Sequence, residues 1–143
     1  MTRINFYQVG IEETVMGFAC RLVNMIYKRG HRVHVYTGQE AVAGELDKLL
    51  WSWEDARFLP HEMYTKSGSA RIKISAHVVP EDHHDVLVNL SEEIPNFFSQ
   101  FERVAEIVPL DHESRERARE NYRFYQDRGY QLEYHQIKGK QDG

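Results

Sequence analysis

The sequence predicts an α/β fold, one domain with helices packed on a mostly parallel central sheet. Three observations carry this. The chain has 143 residues, 41% of them hydrophobic and 28% charged, a size and balance that suit one globular domain with a real core. Its opening stretch, up to Tyr36, reads strand, helix, strand, and a βαβ unit implies parallel pairing. The same alternation then runs on with no internal repeat and no linker long enough to divide the chain.

The elements follow in order. Ile4, Phe6 and Val9 mark a first strand. From about Thr14 to Arg29, Val15, Phe18, Ala19, Leu22, Val23 and Ile26 fall on one helical face. Glu12 and Glu13 at its start, Lys28 and Arg29 at its end, and Gly30 beyond suit the helix dipole and a C-terminal cap. Val33, Val35 and Tyr36 give a second strand. Gln39–Leu50 is helical, with Ala43, Leu46, Leu49 and Leu50 on one side. Thr65–Arg71 is turn-rich. Ile72 and Ile74 alternate with Lys73 and Ser75, as in a half-exposed strand. Pro80–Asp85 reads as a loop, and Val86–Leu90 as a short buried strand. Phe97, Phe98 and Phe101 suggest a short helix after Pro95, Val104–Val108 a further strand, and Asp111–Arg128 the last helix, capped by Gly129. Residues 1–137 are therefore expected to form the domain, with 138–143 a flexible tail.

The formal charge is −4, from 18 basic and 22 acidic residues. A domain that grips DNA through its phosphates usually has a basic excess, so direct DNA binding is not the expectation. The lone Cys20 has no partner for an internal disulfide, and among apolar neighbours it reads as a buried small hydrophobe. No run approaches the ~18 apolar residues of a membrane span, and the N-terminus lacks a signal-peptide layout. These features favour the cytoplasm.

Familiar catalytic signatures are missing. A dinucleotide site needs Gly-x-Gly-x-x-Gly between the first strand and helix, because the pyrophosphate packs on bare backbone there. Here the turn has Gly10 followed by Glu12 and Glu13, whose carboxylates would repel a phosphate. There is no Gly-x4-Gly-Lys-Ser/Thr loop and no Gly-x-Ser-x-Gly elbow. His83 and His84, between Asp82 and Asp85, are adjacent and poorly spaced to chelate one ion, so a solvated loop is the better reading and no metal or other cofactor is expected. His112 and His135 lie in polar surroundings and read as surface residues.

The last helix is the most informative segment. At about 100° per residue, Arg115, Arg119 and Arg123 climb one face, with Tyr122 at its edge. Ala118, Tyr122 and Tyr125 form the apolar face, and Glu113, Glu116, Glu120 and Asp127 gather on the far side. Arginines four apart destabilise a helix by roughly 0.2–0.5 kcal/mol per pair, so helix stability alone would not choose this pattern. It reads either as a solvated charged helix or as an anion-recognition face suited to an acidic peptide or a free carboxylate.

Several segments jointly resemble a known family. Asn5-Phe6-Tyr7, the block from Leu49 to His61 with Trp51, Phe58, Pro60 and His61, the stretch Ile107–Asp111 and the closing Ala118–Tyr130 resemble the chi subunit of bacterial DNA polymerase III. The order and spacing hold from Phe6 to about Leu132. The loops at Thr65–Arg71 and Pro80–Asp85 and the tail are not characteristic.

The resemblance implies a Rossmann-like three-layer fold that binds no nucleotide. It also implies a non-catalytic accessory subunit of the clamp-loader complex, part of a DNA-directed DNA polymerase holoenzyme. Chi binds the acidic C-terminal tail of single-stranded-DNA-binding protein, which ends in Pro-Phe. The family's positions for that tail fall on Arg115, Arg119, Tyr122 and Arg123, with Val108 lining the pocket for the terminal Phe. A second surface, matching Trp51 and Phe58, implies contact with the psi subunit where present, or with a DNA-repair helicase; DNA is reached only indirectly. Trp51 and Trp53 lie two apart, so one of them is expected to be exposed. The alternative reading is an orphan α/β nucleotide-binding domain or enzyme.

Overall fold

A computed structural model describes residues 1–52, 59–65, 68–81 and 85–137. Among these are seven strands: β1 (Arg3–Gln8), β2 (Val33–Tyr36), β3 (His61–Met63), β4 (Ile72–Ser75), β5 (Val86–Asn89), β6 (Arg103–Val108) and β7 (Gln131–Gln136). Three α-helices accompany them, α1 (Val15–Lys28), α2 (Glu40–Ser52) and α3 (His112–Asp127), with a 3-10 turn at Phe98–Gln100. The strands form one sheet in the order β3-β4-β2-β5-β6-β1-β7, and every neighbouring pair is parallel. This is the Rossmann-like three-layer α/β fold.

Strand alternation splits the core in two. Val33, Val35, Ile72, Ile74, Val86, Val88, Ala105 and Ile107 point to one face and pack with Phe18, Leu22, Val23, Ala43, Leu46 and Leu50 of α1 and α2. Ile4, Phe6, Leu87, Val104 and Val108 point to the other and pack with Phe97, Phe98, Phe101, Ala118 and Tyr125. A central parallel sheet is covered on both sides, hence the near-continuous apolar runs of β5 and β6. Cys20 is fully buried, and burial pushes its thiol up to about 12.

The half-exposed reading of Ile72–Ser75 needs correction, because all four residues are buried. The alternation is real, but the second face is covered too. The Lys73 ammonium donates to the Gly68 carbonyl at 2.9 Å and lies 5.3 Å from the Tyr64 ring centroid. Ser75 Oγ lies 2.8 Å from His34 Nε2. Two strands went unread, β3 and β7, and both are sheet edges. His135 lies on β7 with its side chain 40% exposed and its ring stacked on Tyr7, centroids 4.9 Å apart.

At the first strand–helix turn, Thr14 caps α1 by accepting the Gly17 N–H at 2.9 Å. The Glu13 carboxylate, 4% exposed, accepts from Arg21 Nη2 at 2.8 Å and from Arg21 Nε at 2.9 Å. It therefore also serves a side-chain pair at this turn. Residues 53–58, 82–84 and 138–143 lie outside the described residues, and with them Trp53, Phe58, the His83–His84 loop and the expected tail.

Candidate functional site

Asp111 caps α3, its carboxylate accepting the Ser114 N–H at 3.0 Å, and hydrogen bonding from the Ser114 side chain and then its backbone lowers the Asp111 pKa. It ends against Gly129, which takes φ +81°, the left-handed cap that a Cβ would disfavour. Ala118 and Tyr125 are buried and Tyr122 is half-buried, which fixes the helix rotation. Arg115, Arg119 and Arg123 are left exposed on one side.

The arginines differ in their ties. Arg119 Nη1 donates to Glu116 Oε1 at 2.7 Å, across side chains 67% and 50% exposed. Such an exposed pair is worth little and is readily exchanged for another carboxylate. Arg115 and Arg123 make no ion pair among the described residues. Beside them lies an aromatic ledge. The Phe6 ring is 5.4 Å from Tyr122 and 6.0 Å from Tyr134, nearly parallel to the latter at 12°. Tyr122 and Tyr134 are 6.4 Å apart. Tyr134 is 42% exposed, and its hydroxyl donates to Gln8 Oε1 at 2.9 Å. Burial raises the Tyr134 phenol, while the charges of Arg115 and Arg119 act to lower it. The stripe and the ledge are thus electrostatic neighbours.

Val108 lies elsewhere. It is 3% exposed and shares a core cluster with Tyr122. The cavity of about 210 Å³ that it borders is lined by Phe6, Ala118, Arg117 and Asn121, along the opposite edge of α3 from the stripe. Arg117 there pairs with Glu92 at 3.1 Å. The structure brings Arg115, Arg119 and Tyr122 together, sets Arg123 one turn on, and places Val108 across the helix. Tyr134 is the residue that sequence reasoning missed, because its strand was not foreseen.

Beneath α3 lies a buried polar link. Glu106 accepts from the Tyr125 hydroxyl at 2.7 Å and from Asn89 Nδ2 at 2.9 Å. Burial raises the Glu106 carboxyl to about 7, against the lowering effect of those bonds. Burial and the adjacent Glu106 also push the Tyr125 phenol well up, so it stays a donor.

At the other end of the sheet, Trp51 in the last turn of α2 is 60% exposed. Its ring lies 4.4 Å from that of buried His61 on β3, whose Nδ1 is 2.9 Å from the Leu59 carbonyl. Met63, on the same edge strand, is 40% exposed. The expected exposure of one tryptophan of the pair is met by Trp51.

Fold and site together define a class: a Rossmann-like domain with a carboxylate at its first strand–helix turn and an arginine-faced last helix. Residues 1–133 match the family described as DNA polymerase III chi subunit, HolC. The DNA polymerase III subunit chi of Pseudomonas aeruginosa is 34% identical over 139 residues, covering 96% of this chain and 98% of that one. Its counterpart in Haemophilus influenzae is 30% identical over 83% of this chain and 85% of its own. That of Escherichia coli is 26% identical over 92% and 96%. The chain belongs to the DNA polymerase III chi family.

Proposed function

We propose that this chain is a non-catalytic adaptor of the polymerase III clamp-loader complex. It holds the acidic C-terminal tail of single-stranded-DNA-binding protein against α3. The observation that carries this is the exposed Arg115–Arg119–Arg123 stripe beside Tyr122 and Tyr134, whose rings back onto buried Phe6, on a chain whose net charge is −4. A concentrated basic face on an acidic protein focuses a positive potential on a local anion. Guanidinium groups pair with the tail's acidic side chains and terminal carboxylate. The terminal Phe supplies apolar burial, worth roughly 1.5–3 kcal/mol when complete. In this reading the ring rests beside Tyr122 and Tyr134, because Val108 is buried across the helix. The bond is a transient tether, strengthened when several tails of one oligomer engage neighbouring adaptors.

The Trp51 edge is the second surface, for psi or a repair helicase, and the chain bridges the two. The test is calorimetry with a peptide copying the tail, against the same peptide lacking its last Phe. Binding of the first and none of the second is expected. Equal affinity for both would remove the aromatic anchor and the assignment with it.

A further inference from the structure

The far face of the sheet carries a second basic surface, at the end where β1 and β7 lie. Strand alternation sends Arg3, Asn5 and Tyr7 of β1 to the α1 side, opposite Ile4 and Phe6. Parallel register then sets Arg3 directly beside Arg103 of β6, Asn5 beside Glu133, and Tyr7 beside His135 of β7. Cover is thin here: Asn5, Tyr7 and His135 are half-buried, and Arg3, Arg103 and Glu133 are exposed. Like charges directly opposite on adjacent strands destabilise a sheet, so the Arg3–Arg103 pair is not explained by folding.

Arg29, at the C-cap of α1, adds a third guanidinium. It borders a small cavity with Tyr7 and Arg103. Arg3, Arg29 and Arg103 are all exposed, and none has an ion pair among the described residues. Burial raises the Tyr7 phenol, and the charges of Arg103, Glu133 and Arg29 also act on it. A cleft of about 550 Å³ opens between Arg3, Arg103, Asn5, Gln131 and Glu133.

We propose that this platform binds single-stranded nucleic acid, with phosphates on Arg3, Arg29 and Arg103 and a base against the Tyr7–His135 ring pair. An anionic chain fits three unpaired guanidiniums. The choice of nucleic acid over an acidic peptide rests on the rest of the surface. Gln131 and the amide nitrogen of Asn5, whose Oδ1 lies 3.3 Å from His135 Nε2, suit base edges, and the near-parallel rings, 17° apart, give an aromatic surface for stacking. The cleft is lined mainly by polar and charged groups, unlike the aromatic ledge by α3. Glu133, whose Oε1 lies 3.4 Å from His135 Nε2, opposes the anion, so contact is weak. It is independent of the tail reading, since it uses the other side of the sheet.

Fluorescence anisotropy with a labelled oligothymidylate at low salt tests this. Wild type should bind, and three phosphate contacts should cost roughly twentyfold in affinity between 50 and 200 mM salt. R3A and R103A should each weaken binding by about fivefold or more and flatten the salt slope by roughly 0.7. E133Q should strengthen it, and all three variants should hold the tail peptide as wild type does, which shows them folded. Absence of wild-type binding overturns the proposal. So does binding that survives the R3A/R103A double variant yet is lost in R119A, which would move the DNA to α3. Displacement of the oligonucleotide by polyglutamate at equal charge would make the partner acidic protein and overturn it equally.

Discussion

Tyr134 stands where the arginine stripe meets the sheet edge, and its ring lies against buried Phe6 and beside half-buried Tyr122. If the tail's apolar end lies on that surface, Y134A should weaken peptide binding severalfold. Y134F should stay close to wild type, because the hydroxyl already bonds to Gln8. Equal losses in both would point to the hydroxyl instead. Glu106 makes a different residue-scale prediction. Its folded pKa, raised to about 7 from 4.5, means that the folded state binds the proton more tightly than the unfolded chain. The resulting stabilisation is full below about 4.5 and is lost as pH rises through about 7, up to about 3 kcal/mol. E106Q should therefore flatten the pH dependence of stability: nearly wild type at acid pH, more stable than wild type at mildly alkaline pH. Denaturant midpoints at both pH values check it, and a parallel pH trend in the two proteins would refute it. At this scale the sequence was legible for Cys20 and for the arginine stripe. It misled at Lys73 and Ser75, where period-2 alternation reports which face a side chain points to and not whether that face is covered.

The last helix combines a role in folding with a cost. Its apolar side docks through Ala118 and Tyr125, while Arg115, Arg119 and Arg123 repel one another along the outside. R115E would replace one like pair with an attractive one, each change worth roughly 0.2–0.5 kcal/mol, and would place a negative charge near the helix N-terminus. It should raise the Tm by a few degrees and still weaken tail binding strongly. A variant more stable but poorer at binding would separate function from folding; a variant of unchanged affinity would mean that Arg115 stands outside the site. Helices and central strands were legible because one continuous apolar pattern specifies each. β3 is three residues long, too short for a period. β7 reads Gln-Leu-Glu-Tyr-His-Gln, polar because it is an edge strand with one neighbour. Without β7, Tyr134 and the Gln131–Glu133–His135 side of the second platform are not legible.

Across the whole molecule, charge is arranged against its average. A net −4 coexists with one basic face on each side of the sheet, and the Trp51–Met63 edge is apolar and exposed. That separation fits the proposed role, with a separate surface for each proposed partner. Tail binding should weaken severalfold as salt rises and the screening length falls from about 10 Å at 0.1 M. Binding at the Trp51 edge should respond far less, since apolar burial is not screened; titrations of each partner over a salt series compare the two. No described helix is long and apolar enough to cross a membrane.

In the proposed mechanism, outward-facing guanidiniums on α3 receive a negatively charged chain end. Calorimetric titration of the tail peptide into wild type and R119A, with thermal melts of both, tests it most directly. We expect affinity to fall at least about tenfold, close to 1.4 kcal/mol, with the melts nearly superimposed, since Arg119 is exposed and its one ion pair is weak. Identical affinity in the two proteins would contradict the account.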